Sequence, residues 1–228
     1  RNKNLYQKNL NYLFQHFNSD KGKKFVNQYA RFSKKNNDLI NGHNYSSYYE
    51  KYFKKIKNKK LDILELGAFK GNATASLFFY FKNSTIYSSD LYPDLFTYNS
   101  KRINNFFMDN SDKKNFELLP ENKKYDIIVE DAGHYLKDQI VSLFALFPKL
   151  KKNGIYIVEE LDFPDTRKDM NLSNDKNTLY NILNLIKKKK KFSSAYVTDN
   201  EKKYFIKNLE KIKICKGRFN KIAFIKKK

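Results

Sequence analysis

Cysteine occurs once in the 228 residues, at Cys215, and tryptophan not at all. A single cysteine excludes an internal disulfide framework and fits a reducing cytosol, the expected compartment. Glycine and proline are scarce, at 7 and 4 residues, and no Gly/Ser- or Pro-rich linker divides the chain. Internal repeats are absent as well, so the length fits one α/β domain with a substantial core. No apolar run approaches the roughly 20 residues that a membrane-spanning helix needs. Nor does a basic-then-apolar leader open the chain, which begins at Arg1 rather than a methionine.

Acid is the other deficit. Against 46 Lys and Arg stand 24 Asp and Glu, a formal net charge of +22. Such a balance fits a polyanionic partner, nucleic acid or a phosphate-rich substrate. It fits compositional drift better, because Lys, Asn, Phe, Tyr and Ile are all abundant, as an AT-rich coding bias produces. The lysines are also spread over the chain, apart from Lys187 to Lys191 and Lys226 to Lys228.

What is present is an alternation of strands and helices. Residues 1–58 are polar and aromatic with helical patches, and are expected to form a helical N-terminal extension, or lid, over a domain spanning 59–228. From Leu61, "LDILELG" reads as a buried strand, and "NATASLFFYFK" as a helix capped by Asn72. "STIYSSD", "INNFFMD" and "YDIIVED" read as three further strands. In "QIVSLFALF", Ile140, Leu143, Phe144 and Phe147 fall at i, i+3, i+4 and i+7, one face of a helix. A turn at Asn153-Gly154 and a fifth strand follow. Leu179, Ile182, Leu183 and Ile186 repeat the helical spacing, and "KKYFIKNLEKIKIC" and "KIAFIKK" read as two closing strands. This order implies parallel βαβ units and a doubly wound sheet with helices on both faces.

Ligands of such sheets sit beyond the carboxyl ends of the strands. Glu65, Asp90, Asp109, Asp131 and the pair Glu159/Glu160 all fall there. The first turn, "ELGAFKGNAT", places Gly67 and Gly71 where backbone must come close to a ligand. It is neither a dinucleotide fingerprint, since Phe69 stands at the middle glycine, nor a P-loop. An acid at Asp90, about 20 residues after the loop, is placed to accept from both ribose hydroxyls of an adenosine-type cofactor. Asp131 and His134 leave the fourth strand while Glu159 and Glu160 leave the neighbouring fifth. Histidine suits a general base and hard carboxylates suit magnesium, the equipment for deprotonating an alcohol. The plain alternatives are a helix-start histidine bonded to backbone and a solvated pair of acids. The loop 161–176, with Asp162, Asp165 and Arg167, is a candidate wall for a hydroxyl-rich or phosphorylated acceptor.

With these motifs the chain resembles the class I S-adenosylmethionine (SAM)-dependent methyltransferases, "ILELGAFKG" looking like their first motif and "IYSSDLYP" their second. The resemblance implies a Rossmann-like, mostly parallel seven-stranded sheet and a SAM site. Glu65, Gly67, Ala68, Gly71 and Asn72 would line the cofactor's methionine and ribose, Asp90 and Leu91 the ribose, and Asp109 or Asn110 the adenine. "EDAGH" (130–134) and "LKKNGIYIVEEL" (150–161) resemble a narrower family, the metal-dependent sugar O-methyltransferases of macrolide and glycoside biosynthesis. "SDKG" (19–22) and "HNYSSYYEKYF" (43–53) extend the likeness upstream. That implies Asp131, Glu159 and Glu160 as ligands of Mg2+, His134 with Asp131 as the catalytic pair, and His43 in a lid. The acceptor would be a sugar or nucleotide-linked sugar, such as a surface or capsular polysaccharide precursor. Assembly through N-terminal helices, as in many such enzymes, would make a homo-oligomer. Four positions depart from the pattern: Glu130 and Glu160 stand for aspartates, and Ala132-Gly133 for Gly-Ser.

Other classes fit less well. A small phosphorylated or phosphoramidate acceptor is the main alternative. Amino-directed nucleic-acid enzymes carry a D/N-P-P-Y/F motif where this chain reads "EDAGH", and the thiol of a cytosine-C5 enzyme is not offered by Cys215 in a late apolar strand. A non-catalytic SAM-binding protein would have no use for His134 with three acids.

Overall fold

The computed structural model describes residues 4–26 and 39–228. The segment expected as a helical extension contains helices α1 (Leu10–His16) and α2 (Ser46–Phe53), and also a small antiparallel pair, β1 (Lys24–Val26) and β2 (Leu39–Asn41). Residues 1–3 and 27–38 of that segment lie outside the described residues.

The main domain runs β3 (Asp62–Leu66), α3 (Asn72–Tyr80), β4 (Thr85–Asp90), β5 (Ile103–Phe107), β6 (Tyr125–Glu130), α4 (Leu136–Leu146) and β7 (Leu150–Val158). It continues through the single turn α5 (Phe163–Thr166) to α6 (Leu179–Lys187), α7 (Asp199–Asn208), β8 (Leu209–Lys216) and β9 (Lys221–Lys227). The seven strands lie in the order β5-β4-β3-β6-β7-β9-β8, with β3 to β7 parallel and β9 antiparallel to both its neighbours. β4 and β5 extend the sheet to one side of β3, and β6 and β7 to the other. The strand order therefore reverses between β3 and β6, which is where such a sheet opens a crevice.

Two-residue alternation sorts the strand side chains onto two cores. Ile63, Ile127 and Ile157 face a cluster completed by Leu13 and Phe14 of α1, Tyr49 and Phe53 of α2, and Leu77 of α3. Leu64, Ile128 and Tyr156 face the other cluster, with Leu143 and Phe144 of α4 and Ile182 and Leu183 of α6. Each buried aliphatic side chain contributes about 1.5–3 kcal/mol, so both helical layers are held firmly against the sheet.

Three expectations need correction. The first half of "KKYFIKNLEKIKIC" is helix, since Thr198 and Glu201 form a reciprocal capping box that starts α7. Only Phe205 of that stretch is buried, packed on Phe144 and Phe147, while Tyr204 and Ile206 stay exposed. The cap of α3 is Gly71 (φ +82°) rather than Asn72, which is the first helical residue. The turn at Asn153-Gly154 is absorbed into β7 as an irregularity opposite Tyr125 and Ile127, with Asn153 at φ +62°.

Candidate active site

The crevice at the reversal point is a cleft of about 760 Å³ over the carboxyl ends of β3 to β7. Gly67, Ala68 and Asn72 line it from the first turn, and Asp90, Leu91, Asp109 and Asn110 from the ends of β4 and β5. Asp131, His134 and Glu160 line the far end. Three of the expected residues do not line it: Glu65, Gly71 and Glu159.

Gly67 is required by close approach. At φ +83°, an added Cβ would run into the carbonyl of Asp131 and come within 2.6 Å of Ala132 Cα. The loop after β3 thus passes directly over the loop after β6. Asp90 fixes the same turn, Oδ2 accepting from the backbone N–H of Phe69 at 2.7 Å, while Oδ1 accepts from Tyr92 N–H at 2.9 Å in its own loop after β4. Each carboxylate oxygen keeps further lone-pair capacity facing the cleft. Asn110 is 7% exposed and its Oδ1 has no partner among the described residues. A buried, unpaired amide oxygen beside a cavity fits a donor on a bound ligand. Glu65 instead lies under α3, accepting from Thr74. Burial pushes its carboxyl up to about 7, with Lys21 and Thr74 pulling the other way.

At the opposite end one oxygen or nitrogen from each of Asp131, His134 and Glu160 lies within 4.8 Å of the others. Glu160 Oε2 accepts from His134 Nε2 at 2.8 Å, and Asp131 Oδ1 is 3.8 Å from the same nitrogen. His134 and Glu160 both hold left-handed backbone, φ +58° and +46°. Non-glycine residues adopt that region at a cost of order 1–3 kcal/mol, and such strain gathers at functional sites. Burial alone would lower the imidazole pKa, but the hydrogen bond and charge of Glu160, with Asp131 and Glu130, raise it to about 9. The Phe163 ring packs edge-on against His134 at 5.2 Å.

Glu159 is turned away. Its N–H continues the ladder to Glu130 O at 3.0 Å, and the left-handed backbone of Glu160 then carries the next side chain to His134 instead. Glu159 faces α2, where the Tyr49 hydroxyl donates to Oε1 and Lys21 Nζ approaches Oε2 at 3.1 Å. The same ammonium pairs with Asp131 Oδ2. Burial opposes the charge on Lys21, but Asp131 and Glu159 together raise its pKa well above the ordinary value.

The oxygen and imidazole donors of Asp131, His134 and Glu160 fit a divalent cation. His134 Nδ1, buried without a partner among the described residues, leaves that ring free of a competing protein contact on its other side.

Two further residues reach the site: His43, expected in a lid, and Lys21, which the sequence left unassigned. His43 reaches Glu160 Oε1 at 3.2 Å, so Glu160 spans two imidazoles. Lys21 sits within the quoted "SDKG" but nothing in a lysine-rich chain marks it out. His16 is exposed on α1, and Cys215 lies half-buried on β8, paired with Ile222 rather than lining the cleft. In the loop 161–176 the acids act as anchors. Asp162 accepts from Lys221 through backbone and side chain, each at 2.7 Å, and Asp165 from Thr178 at 2.9 Å. Arg167 pairs with Asp169 at 2.6 Å.

No protein-family model matches the chain. Among curated proteins it is similar to the 8-demethyl-8-alpha-L-rhamnosyl tetracenomycin-C 2'-O-methyltransferase of Streptomyces olivaceus, 25% identical over 127 residues, covering 52% of this chain and 33% of that protein. Demethylmacrocin O-methyltransferase of Streptomyces fradiae matches at 25% over 127 residues, 52% of this chain and 32% of its own. The match thus covers about a third of these relatives' length. Among solved structures, the MycE methyltransferase from the mycinamycin biosynthetic pathway, in complex with Mg and SAH, superposes with a TM-score of 0.71 at 18% identity, covering 96% of this chain and 54% of that one. Its complex with Mg, SAH and mycinamycin VI gives 0.70 at 16%. The chain shares that Rossmann-like fold over nearly its whole length.

Proposed function

We propose that the chain is the catalytic part of a SAM-dependent O-methyltransferase. It would methylate a hydroxyl of a sugar or nucleotide-linked sugar, such as a polysaccharide precursor. One observation carries this reading: a single cleft joins the glycine turn and Asp90 at one end to Asp131, His134 and Glu160 at the other. The similarity to sugar O-methyltransferases, and to a structure solved with Mg and SAH, supports it.

When bound, SAM supplies an electrophilic methyl group and a divalent ion polarises the acceptor hydroxyl. The chain's own residues do the rest. Asp90 accepts from the ribose hydroxyls while its bond to Phe69 holds the turn that Gly67 shapes. Asn110, or Asp109 beside it, meets the adenine. Asp131 and Glu160 offer carboxylate donors for the cation, which leaves His134 beside them as the base. His134 receives the hydroxyl proton at Nε2, the nitrogen now shared with Glu160. Glu160 and Asp131 supply the charges that hold this imidazole protonated, so engaging those acids frees a neutral base. Phe163 and Tyr135 border the acceptor end.

The test is His134→Ala measured two ways. Calorimetry with SAH should give an unchanged affinity, while methyl transfer to the acceptor falls by about 100-fold or more. Unchanged turnover would remove His134 from the chemistry. Loss of SAH binding along with turnover would make it a structural residue.

A further inference from the structure

The acids at the end of β6 and β7 are already served by a cation of the protein itself. Lys21, from the segment after α1, is 3% exposed. Its ammonium pairs with Asp131 Oδ2 and lies 3.1 Å from Glu159 Oε2. Asp131 is thereby divided: Oδ2 faces Lys21, and Oδ1 faces His134 at 3.8 Å. Glu159 is divided too, its other oxygen taking the Tyr49 hydroxyl. The cleft contains Lys21, Asp131, His134 and Glu160, but not Glu159.

Charge counting sharpens the picture. Asp131, Glu159 and Glu160 carry three formal negative charges, and Lys21 cancels one. With the His134 imidazole neutral the remainder matches one divalent ion, and the cleft-side acid oxygens not paired with the ammonium are Asp131 Oδ1 and those of Glu160, which His134 and His43 approach at 2.8 and 3.2 Å. A cation seeking Asp131 Oδ2 or Glu159 would have to displace a buried ammonium, and like charges a few ångströms apart repel strongly at low dielectric.

We propose that Lys21 is a resident counter-cation that withholds Glu159 from the divalent ion, confining it to Asp131 and Glu160 and holding its affinity down. The proposal rests on the reading of this cleft as a cation site. Lys21 is a positioning residue: it acts through Asp131 and Glu159 and sets how tightly, and by which acids, an ion is held.

The experiment is equilibrium binding of Mn2+, followed by the EPR signal of the free ion, on the full chain. Lys21→Met keeps most of the side chain's volume and removes its charge. It should bind Mn2+ about tenfold or more tightly than the parent, the size of effect that residues around a metal site exert. Adding Glu159→Gln to Lys21→Met should return most of that gain, because the freed Glu159 is what supplies it. An affinity for Mn2+ in Lys21→Met that is unchanged or weaker overturns the proposal. Where Lys21→Met does not fold, Glu159→Gln alone decides. It must leave Mn2+ affinity within about threefold of the parent, and a larger loss puts Glu159 on the ion. SAH titration of the same samples keeps the two ideas apart. SAH binding with no effect of Lys21 sinks only this proposal, whereas a parent that takes neither SAH nor Mn2+ sinks the functional reading beneath it.

Discussion

Glu160 Oε2 accepts the Nε2 proton of His134 at 2.8 Å, and both residues pay out into left-handed backbone to meet. The pair brackets a pH window. His134 is raised to about 9, so its share of stability is fully present below the unfolded imidazole value near 6.5 and is lost as pH rises through about 9. Glu160 is shifted the other way: burial raises it, but the His134 hydrogen bond together with the charges of His134, His43 and Lys21 lowers it. Its share is lost as pH falls through that lowered value. With chelator present, thermal melts of the parent should exceed those of His134→Gln between these limits, by up to order 3 kcal/mol. Curves that stay parallel from pH ~5 to ~10 would break the pairing. Adding Mn2+ should lower the midpoint for His134, since the ion competes with its proton.

Glu130 has the sign opposite to Glu160. It is fully buried, its Oε1 accepts from Ala132 N–H at 3.2 Å, and Oε2 has no partner among the described residues. Burial raises its carboxyl to about 7, against a lowering by His134. The folded state therefore holds this proton longer than the unfolded chain, and stability falls as pH rises from about 4.5 to 7. Glu130→Gln should flatten that part of the melting curve, by order 3 kcal/mol at most. A variant that keeps the parent's slope contradicts the assignment.

Gly67→Ala tests the crossing of the two loops. The strained φ alone costs about 1–3 kcal/mol, and the new Cβ also meets the Asp131 backbone. The melting temperature should fall by about 4 °C or more, with SAH binding weakened. A variant as stable as the parent would show that the loops separate freely.

Asp90→Ala removes a charged acceptor that the ribose reading requires, and unties Phe69 in the glycine turn and Tyr92 in the loop after β4. Hydrogen bonds to charged groups are worth about 1.5–3 kcal/mol, so SAH affinity should drop by about tenfold or more. Calorimetry giving the parent's affinity would place the ribose elsewhere.

Much of the architecture was legible because buried parallel strands are short apolar runs, and each here ends on an acid. Asp90, Asp109, Asp131 and Glu160 meet in one cleft for that reason. Glu159 did not follow, because the chain leaves the strand ladder there and turns through left-handed Glu160, a backbone geometry that two adjacent glutamates do not announce. Glu65 went under α3 by strand alternation, on the face that carries Ile63. Lys21 was illegible, being one basic residue among 46, with partners 110 and 138 positions away. α7 was misread as strand because Phe205 anchors it almost alone. Its true signal was the Thr198–Glu201 capping box three residues apart.

The most direct measurement incubates the protein with trideuteromethyl SAM and a pool of nucleotide-linked sugars and bulk RNA, with and without chelator, and reads the acceptors by mass spectrometry. The account predicts label on a hydroxyl in the small-sugar fraction, lost when divalent ions are removed. Label in the RNA, or in neither fraction from a protein that binds SAM, would contradict it.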